Sequence, residues 1–160
     1  MLNHERVHWS DGVRGDVDFD CSSLSDPVLV RHDGSLLYTL PSVVDDLDCE
    51  ITHVFRGEDH VANTAAQIQI FEALEGKVPE FAHFALLAGV SGEGLSKREG
   101  ALSIVELREA GIEPSALTSL LARIGTSDPV ESFADMEPLV ESFDITKFGR
   151  ATAKFDPRDL

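Results

Sequence analysis

Several ingredients are scarce in this chain. No apolar run approaches the roughly 20 residues needed to cross a bilayer, so no membrane partner is expected. Cysteine is limited to Cys21 and Cys49, whose spacing makes neither a CxxC nor a zinc knuckle. Both are expected to be buried or half-buried thiols in a reducing compartment. The polar stretch from Met1 to Trp9 has no signal-peptide pattern, and cytoplasm is the expected location. Positive charge is also short. Thirteen Lys and Arg face 29 Asp and Glu, a formal net charge of -16, whereas nucleic-acid binders carry a basic face. Only Ile145 to Phe155 reads as basic, with Lys147, Arg150 and Lys154 and no acid. Strong RNA affinity from these residues alone is not expected.

What is present suffices for a packed core: 160 residues, 42% of them hydrophobic, fit one domain with an appendage. Val13, Val17 and Phe19 alternate with Asp16, Asp18 and Asp20, which predicts strands over Arg6 to Asp20. The Asp-x-Asp-x-Asp spacing lacks the glycine and the closing glutamate of a calcium loop, so a solvated strand face is the reading. Val28 to Arg31 predicts a strand, followed by turn chemistry at His32-Asp33-Gly34-Ser35. Pro41 suits the first turn of a helix burying Val43, Val44 and Leu47. Ile51 to Phe55 reads as a buried parallel strand. A helix from near Asp59 should bury Val61, Ala65, Ile68, Phe71 and Leu74 and stop at Gly76. Phe81 to Leu87 is the next predicted strand, which completes a right-handed βαβ unit. His53 and His83, inside apolar strands, are expected to be satisfied core histidines.

Beyond residue 100 helices are expected. Ser103-x-x-Glu106 is a capping box ahead of Ile104 and Leu107. Pro114 and Ser115 open a helix whose stripe is Leu117, Leu120, Leu121 and Ile124, ending at Gly125. A further helix from Ser132-x-x-Asp135 should carry Met136, Leu139, Val140 and Phe143 on one side.

The densest chemistry lies in Gly92-Glu93-Gly94-Leu95-Ser96-Lys97-Arg98-Glu99-Gly100. Glycines bracket two adjacent cations, an arrangement suited to closing over a polyphosphate. It is not a Walker loop: Leu95 and Ser96 separate Gly94 from the lysine, and the next helix starts near Ser103 rather than beneath the phosphates. Ligands of open parallel sheets bind outside the carboxyl ends of strands, and Arg56 to His60 and Gly89 to Gly100 both follow predicted strands. No grouping of serine, histidine and acid has the spacing of a hydrolase.

This loop resembles the second signature of class I aminoacyl-tRNA synthetases, the KMSKS loop, whose tail in the bacterial glutamyl branch is commonly Leu-Ser-Lys-Arg, as at Leu95 to Arg98. Gly94 stands where that signature usually opens with lysine. Other blocks resemble the same family: Asp26 to Arg31, Asp33-Gly34, Leu37 to Leu40, Val43 to Asp46, Ile51 to Val54, Arg56 to His60, and Phe81-Ala82-His83. The resemblance implies an α/β chain, the second half of a Rossmann-type nucleotide-binding fold followed by a small helical domain. Residues 1–25 would end the connective segment, 26–101 form half of the catalytic domain, and 102–160 an incomplete helical domain. It also implies ATP, Mg2+, glutamate and tRNA as ligands of the complete enzyme, which charges the tRNA 3′ end by way of an acyl-adenylate.

Residue by residue, the resemblance assigns the catalytic loop to Ser96, Lys97 and Arg98, with Lys97 on the ATP phosphates. Leu95, Asp59 and His60 join Lys97 as nucleotide-binding positions. Tyr38, Ser42 and Arg56 become the glutamate pocket, Arg56 facing a carboxylate with its planar fork. An acidic partner from Asp45 or Asp46 is the structural alternative for Arg56. The family's first signature, His-Ile-Gly-His, is absent, so these residues are expected to have little or no aminoacylation activity alone. Self-association through an exposed sheet edge is expected as well. The competing readings are a non-catalytic synthetase-like binding module, the glutaminyl enzyme, and the paralogue that glutamylates a modified tRNA base.

Overall fold

The computed structural model describes residues 2–92, 94, 95 and 103–160. It comprises two compact units, Met1–Phe84 and Ala85–Leu160. The loop residues Ser96, Lys97 and Arg98 lie outside the described residues. Among the described residues no helix is long and apolar enough to cross a membrane.

In the first unit, the alternating residues form strands, as the sequence predicts, and the two strands pair as a hairpin. β1 (Arg6–Asp11) and β2 (Gly15–Asp20) pair antiparallel, Val7 opposite Phe19 and Trp9 opposite Val17. Gly15, at φ 69°, supplies the left-handed residue the turn requires. Val28 to Arg31 does not become a strand. The tight turn closes with Arg31 N–H donating to Ser35 O at 2.8 Å, leaving a single bridge, Val30 to Leu36. Among the described residues no further strand lies beside it, so the ladder does not extend.

α1 (Thr39–Asp48) buries Val43 completely, but Val44 is exposed, because one residue further on a helix is 100° away from the core stripe. β3 (His53–Gly57) is parallel to β4 (Glu80–Phe84) through α2 (Val61–Ala73), the expected βαβ unit. The sheet order is β2-β1-β4-β3, so among the described residues β3 is an edge strand, not a buried one. His53 and Phe55 are exposed on it, which corrects the expectation of a core role for His53.

Along α2, Ala65, Ile68 and Phe71 are buried as the spacing predicts, whereas Val61 is half-buried and Leu74 is half exposed at the helix end. The helix stop also differs from expectation. Glu75, not Gly76, takes positive φ (55°). Gly76 is needed for a different reason: a Cβ there would lie 2.4 Å from a Leu47 methyl. Val43, Ile68, Ile70, Phe71 and Phe81 form the core, with Trp9, Leu40, Leu47 and Val54 packed around it. Cys21 is buried and Cys49 is exposed, the latter because it caps the end of α1.

β4 stops at Phe84. Leu87 belongs instead to a second strand, β5 (Leu87–Ala88), in the second unit, where it pairs parallel with β6 (Ala153–Lys154). The capping box forms as predicted. Ser103 Oγ accepts from Glu106 N–H, and the Glu106 carboxylate accepts from Ser103 N–H, starting α3 (Ile104–Glu109) with Leu107 inward and Ile104 exposed. α4 (Pro114–Arg123) buries Leu120 but exposes Leu121, and its inward side also carries Ser119 and Arg123. Arg123 donates to Asp128 at 2.8 Å and to Ser142 at 2.6 Å. Such satisfaction is what permits a guanidinium inside. α5 (Glu137–Ser142) buries Leu139 alone of its predicted stripe; Met136, Val140 and Phe143 are exposed.

Candidate functional site

The register of three neighbouring strands creates the site. Arg56 lies opposite His83 in the β3–β4 ladder. Asp11 ends β1, where that strand meets β4. Three side chains from three strands therefore line up across the carboxyl end of the parallel pair, where open α/β sheets bind ligands.

Arg56 is the centre. Its Nε–H donates to His83 Nε2 at 3.2 Å, and Nη1 donates to the Tyr38 hydroxyl at 3.4 Å. Nη2 donates to Thr64 Oγ1 and to Gln67 Oε1, the latter at 2.7 Å. The guanidinium also lies over the Phe81 ring, 5.3 Å from its centroid. All four hydrogen-bond acceptors are uncharged as drawn by this geometry, and no ion pair among the described residues includes Arg56. The acidic alternative is thereby corrected: neither Asp45 nor Asp46 pairs with it. Burial pushes the Arg56 guanidinium below its usual range, with Tyr38, Asp46 and Asp59 acting in the opposite direction. A guanidinium has five N–H donors, and four are used here. The fifth, on Nη1 at the Tyr38 side, has no partner among the described residues.

The remaining predicted pocket residues surround this group in two ways. Tyr38, at the start of α1, is half exposed and meets the His60 ring edge-on at 5.8 Å. Ser42 does not touch Arg56. Its hydroxyl donates to Thr39 O and accepts from Gln67 Nε2 at 2.7 Å, so it holds the glutamine that in turn holds the guanidinium. Asp59 and His60 lie in the short 3-10 turn before α2, both accessible, and Asn63 reaches His60 Nδ1 at 3.2 Å. Leu95 is exposed in the second unit.

Sequence reasoning missed four of the residues that build this site: Asp11, Thr64, Gln67 and the functional side of His83. His83 is indeed a satisfied core histidine, fully buried. What its position alone could not show is the partner on each side. Its Nδ1 faces Asp11 Oδ2, and its Nε2 faces Arg56 and the Thr64 hydroxyl, the latter at 2.9 Å. Thr64 and Gln67 are polar residues at helical spacing on a side otherwise made of Ala65, Ile68 and Phe71, which was the available signal, and both are fully buried. Buried polar side chains need partners, and both find theirs in Arg56.

Burial would raise Asp11, but hydrogen bonds from His83 and from the backbone N–H groups of Arg14, His83 and Val13 outweigh it and bring the carboxyl to about 2. Burial dominates at His83 and lowers it, with Asp11 opposing. Nearby, Arg14 pairs with Glu58 at 2.7 Å, linking the β1–β2 turn to the segment that follows Arg56.

The chemistry available is thus an oriented, partly desolvated cation with one free donor, beside a phenol and a histidine at the mouth. Charge-assisted, planar recognition of a carboxylate is what such a group does best. Among the described residues, no cluster of three or more His, Cys, Asp or Glu converges on a metal-sized position.

Comparison with known proteins gives a consistent picture. The family model for class I tRNA synthetases (E and Q), catalytic domain, matches residues 2–160. A glutamate–tRNA ligase of Azospirillum brasilense is 61% identical over 160 residues, and one from Maricaulis maris is 59% identical. In both cases 99% of this chain is covered but only 36% of the relative, so the chain spans about a third of the length of these relatives. Among solved structures, a glutamate–tRNA synthetase from Elizabethkingia anophelis is 29% identical and superposes with a TM-score of 0.85 over 99% of this chain and 36% of that one. A glutamate–tRNA ligase from Elizabethkingia meningosepticum, solved in complex with its amino acid, matches equally well.

Proposed function

This chain belongs to the class I tRNA synthetase family for glutamate and glutamine, and on that premise we propose that it carries the glutamate pocket and phosphate loop of a glutamate–tRNA ligase. The whole enzyme would join glutamate to ATP as an acyl-adenylate, then transfer the glutamyl group to the tRNA 3′ end. Class I chemistry of this kind rests on positioning and charge stabilisation rather than on a protein nucleophile.

One observation carries the reading. Arg56 is held by four uncharged acceptors and lacks a carboxylate partner among the described residues. A half-buried cation with its shell fixed and its charge unmatched suits an anionic ligand. The same feature favours glutamate over glutamine, since a carboxamide would leave the charge unbalanced. Tyr38 would offer its hydroxyl to the ligand while steadying Arg56, and Ser42 would act at one remove through Gln67. Asp59 and His60 would border the nucleotide. Lys97, with Ser96 and Arg98, would bring positive charge to the triphosphate, and Leu95 would flank them. ATP is a substrate here. For Mg2+ the described residues offer no cluster of three or more His, Cys, Asp or Glu.

These 160 residues alone would not form the adenylate, because the family's His-Ile-Gly-His signature is not among them. They would bind tRNA weakly, given a net charge of -16, and would self-associate through the β3 edge. The test is a chimera in which this chain replaces the matching stretch of the Azospirillum brasilense enzyme. Glutamate-dependent ATP–pyrophosphate exchange is expected from the chimera and not from the isolated chain. Arg56→Gln should abolish it. A chimera that folds but shows no exchange, or one indifferent to Arg56→Gln, defeats the proposal.

A further inference from the structure

We propose that Asp11 and His83 are positioning residues for Arg56: the Asp11 carboxylate holds His83 as the neutral Nδ1–H tautomer, whose Nε2 lone pair accepts from the arginine. The inference rests on the reading of Arg56 as the carboxylate-binding group. It concerns how that group is kept in place.

Asp11 receives His83 N–H at 3.0 Å, Val13 N–H at 3.1 Å, Arg14 N–H at 3.0 Å and Trp9 Nε1–H at 3.3 Å, besides the His83 ring. The four partners other than the ring are all N–H donors, which suits the ionised, acceptor-only carboxylate. Nδ1 of His83 must then carry a hydrogen. On the far side of the ring, Nε2 faces Arg56 Nε–H and the Thr64 hydroxyl, so it must present its lone pair. The Nδ1–H tautomer alone meets both demands. The alternative tautomer sets Nε2–H against Arg56 Nε–H and deprives Asp11 of a donor. Imidazolium adds a second cation against the guanidinium.

Both side chains are completely inaccessible, so water cannot substitute for a lost partner, and unpaired groups there are costly. Among the described residues the groups facing His83 are few. They are Asp11 of β1, Arg56 of β3, Thr64 of α2, the Phe81 ring stacked at 6.2 Å and the Trp9 ring at 6.4 Å. Arg14, whose N–H Asp11 also holds, contributes a more distant positive charge. The single carboxylate of Asp11 therefore fixes two things: the imidazole behind Arg56, and the turn that sends Arg14 to Glu58. Losing it should free the guanidinium to swing toward Tyr38 and solvent.

The decisive measurement is long-range 1H–15N correlation NMR on the labelled 160-residue chain near neutral pH. His83 is expected to show a protonated Nδ1 and a lone-pair Nε2, with a slowly exchanging Arg56 Nε–H. In Asp11→Asn the tautomer should become mixed and the Arg56 Nε–H should exchange at the rate of an exposed guanidinium. Glutamate added to both proteins should show a dissociation constant raised on the order of tenfold in the variant, the equivalent of one hydrogen bond to a charged group. An Nε2–H or imidazolium His83 in the unaltered chain overturns the inference, even if Asp11→Asn does not fold. So does a folded Asp11→Asn with Arg56 Nε–H still protected. If glutamate fails to bind either protein while the tautomer and exchange results hold, the ligand reading of Arg56 fails and the positioning of its side chain by Asp11 and His83 stands.

Discussion

Acidification should destabilise the first unit through His83. This imidazole is fully buried and its basicity is lowered in the fold, chiefly by burial, from an ordinary value of 6.5. For a base whose folded pKa is depressed, the unfolded chain binds the proton first. Its contribution to stability is therefore complete above 6.5 and is lost as pH falls toward the folded value. A single proton limits the slope to about 1.4 kcal/mol per pH unit. A domain typically has about 5–15 kcal/mol in total, so one or two pH units are a sizeable fraction. Asp11 has the same sign in a lower window: its stabilisation holds above 3.8 and fades as pH falls toward about 2. The two losses should be separable along a pH series. Trp9 is the single tryptophan, 6.4 Å from the His83 ring, so urea melts followed by its fluorescence report on this unit. The comparison is with His83→Gln, which should remove the higher window and leave the lower one. If the unaltered chain and His83→Gln lose stability in parallel between about pH 7 and about pH 5, the linkage reasoning is wrong.

Two further outcomes follow from packing and topology. Phe71 is 1% exposed at the centre of the core, and Phe71→Ala should cost about 3–5 kcal/mol, read as a lowered urea midpoint of the Trp9 transition with little change in slope. At the sheet edge, Phe55 is 57% exposed on a strand with one side unpaired among the described residues. Sedimentation should reveal concentration-dependent association that Phe55→Lys weakens, and a strictly monomeric unaltered chain at high concentration would remove the basis for that expectation.

Local signals were legible where the physics is local. The alternation in Arg6 to Asp20 marked its strands, the Ser103–Glu106 box marked the start of α3, and helical spacing identified Ala65, Ile68 and Phe71. What failed depended on neighbours far along the chain. Val28 to Arg31 has strand composition but, among the described residues, no second strand beside it. Ile51 to Phe55 reads as buried until sheet order places it outermost. The apolar positions Val44, Leu121 and Val140 recur at plausible spacing, yet each lies on the outward flank of its helix. At the site, Tyr38 and Arg56 were legible through a family pattern and do meet at 3.4 Å. Asp11 was not, because it acts 72 residues away on His83. No periodicity marks a residue whose role is to fix a tautomer.

The two margins of the sheet are unlike. The β2 margin carries Asp16, Asp18 and Asp20 and repels a would-be neighbour, whereas β3 offers His53 and Phe55 and no such guard. In a parallel ladder alternate residues turn both backbone groups to the same side. Every second amide of β3 is therefore left facing outward, and deuterium uptake along this strand should alternate between slow and fast sites. Any segment that docks there would convert the fast set to slow, which makes these few amides a direct sensor of completion of the sheet.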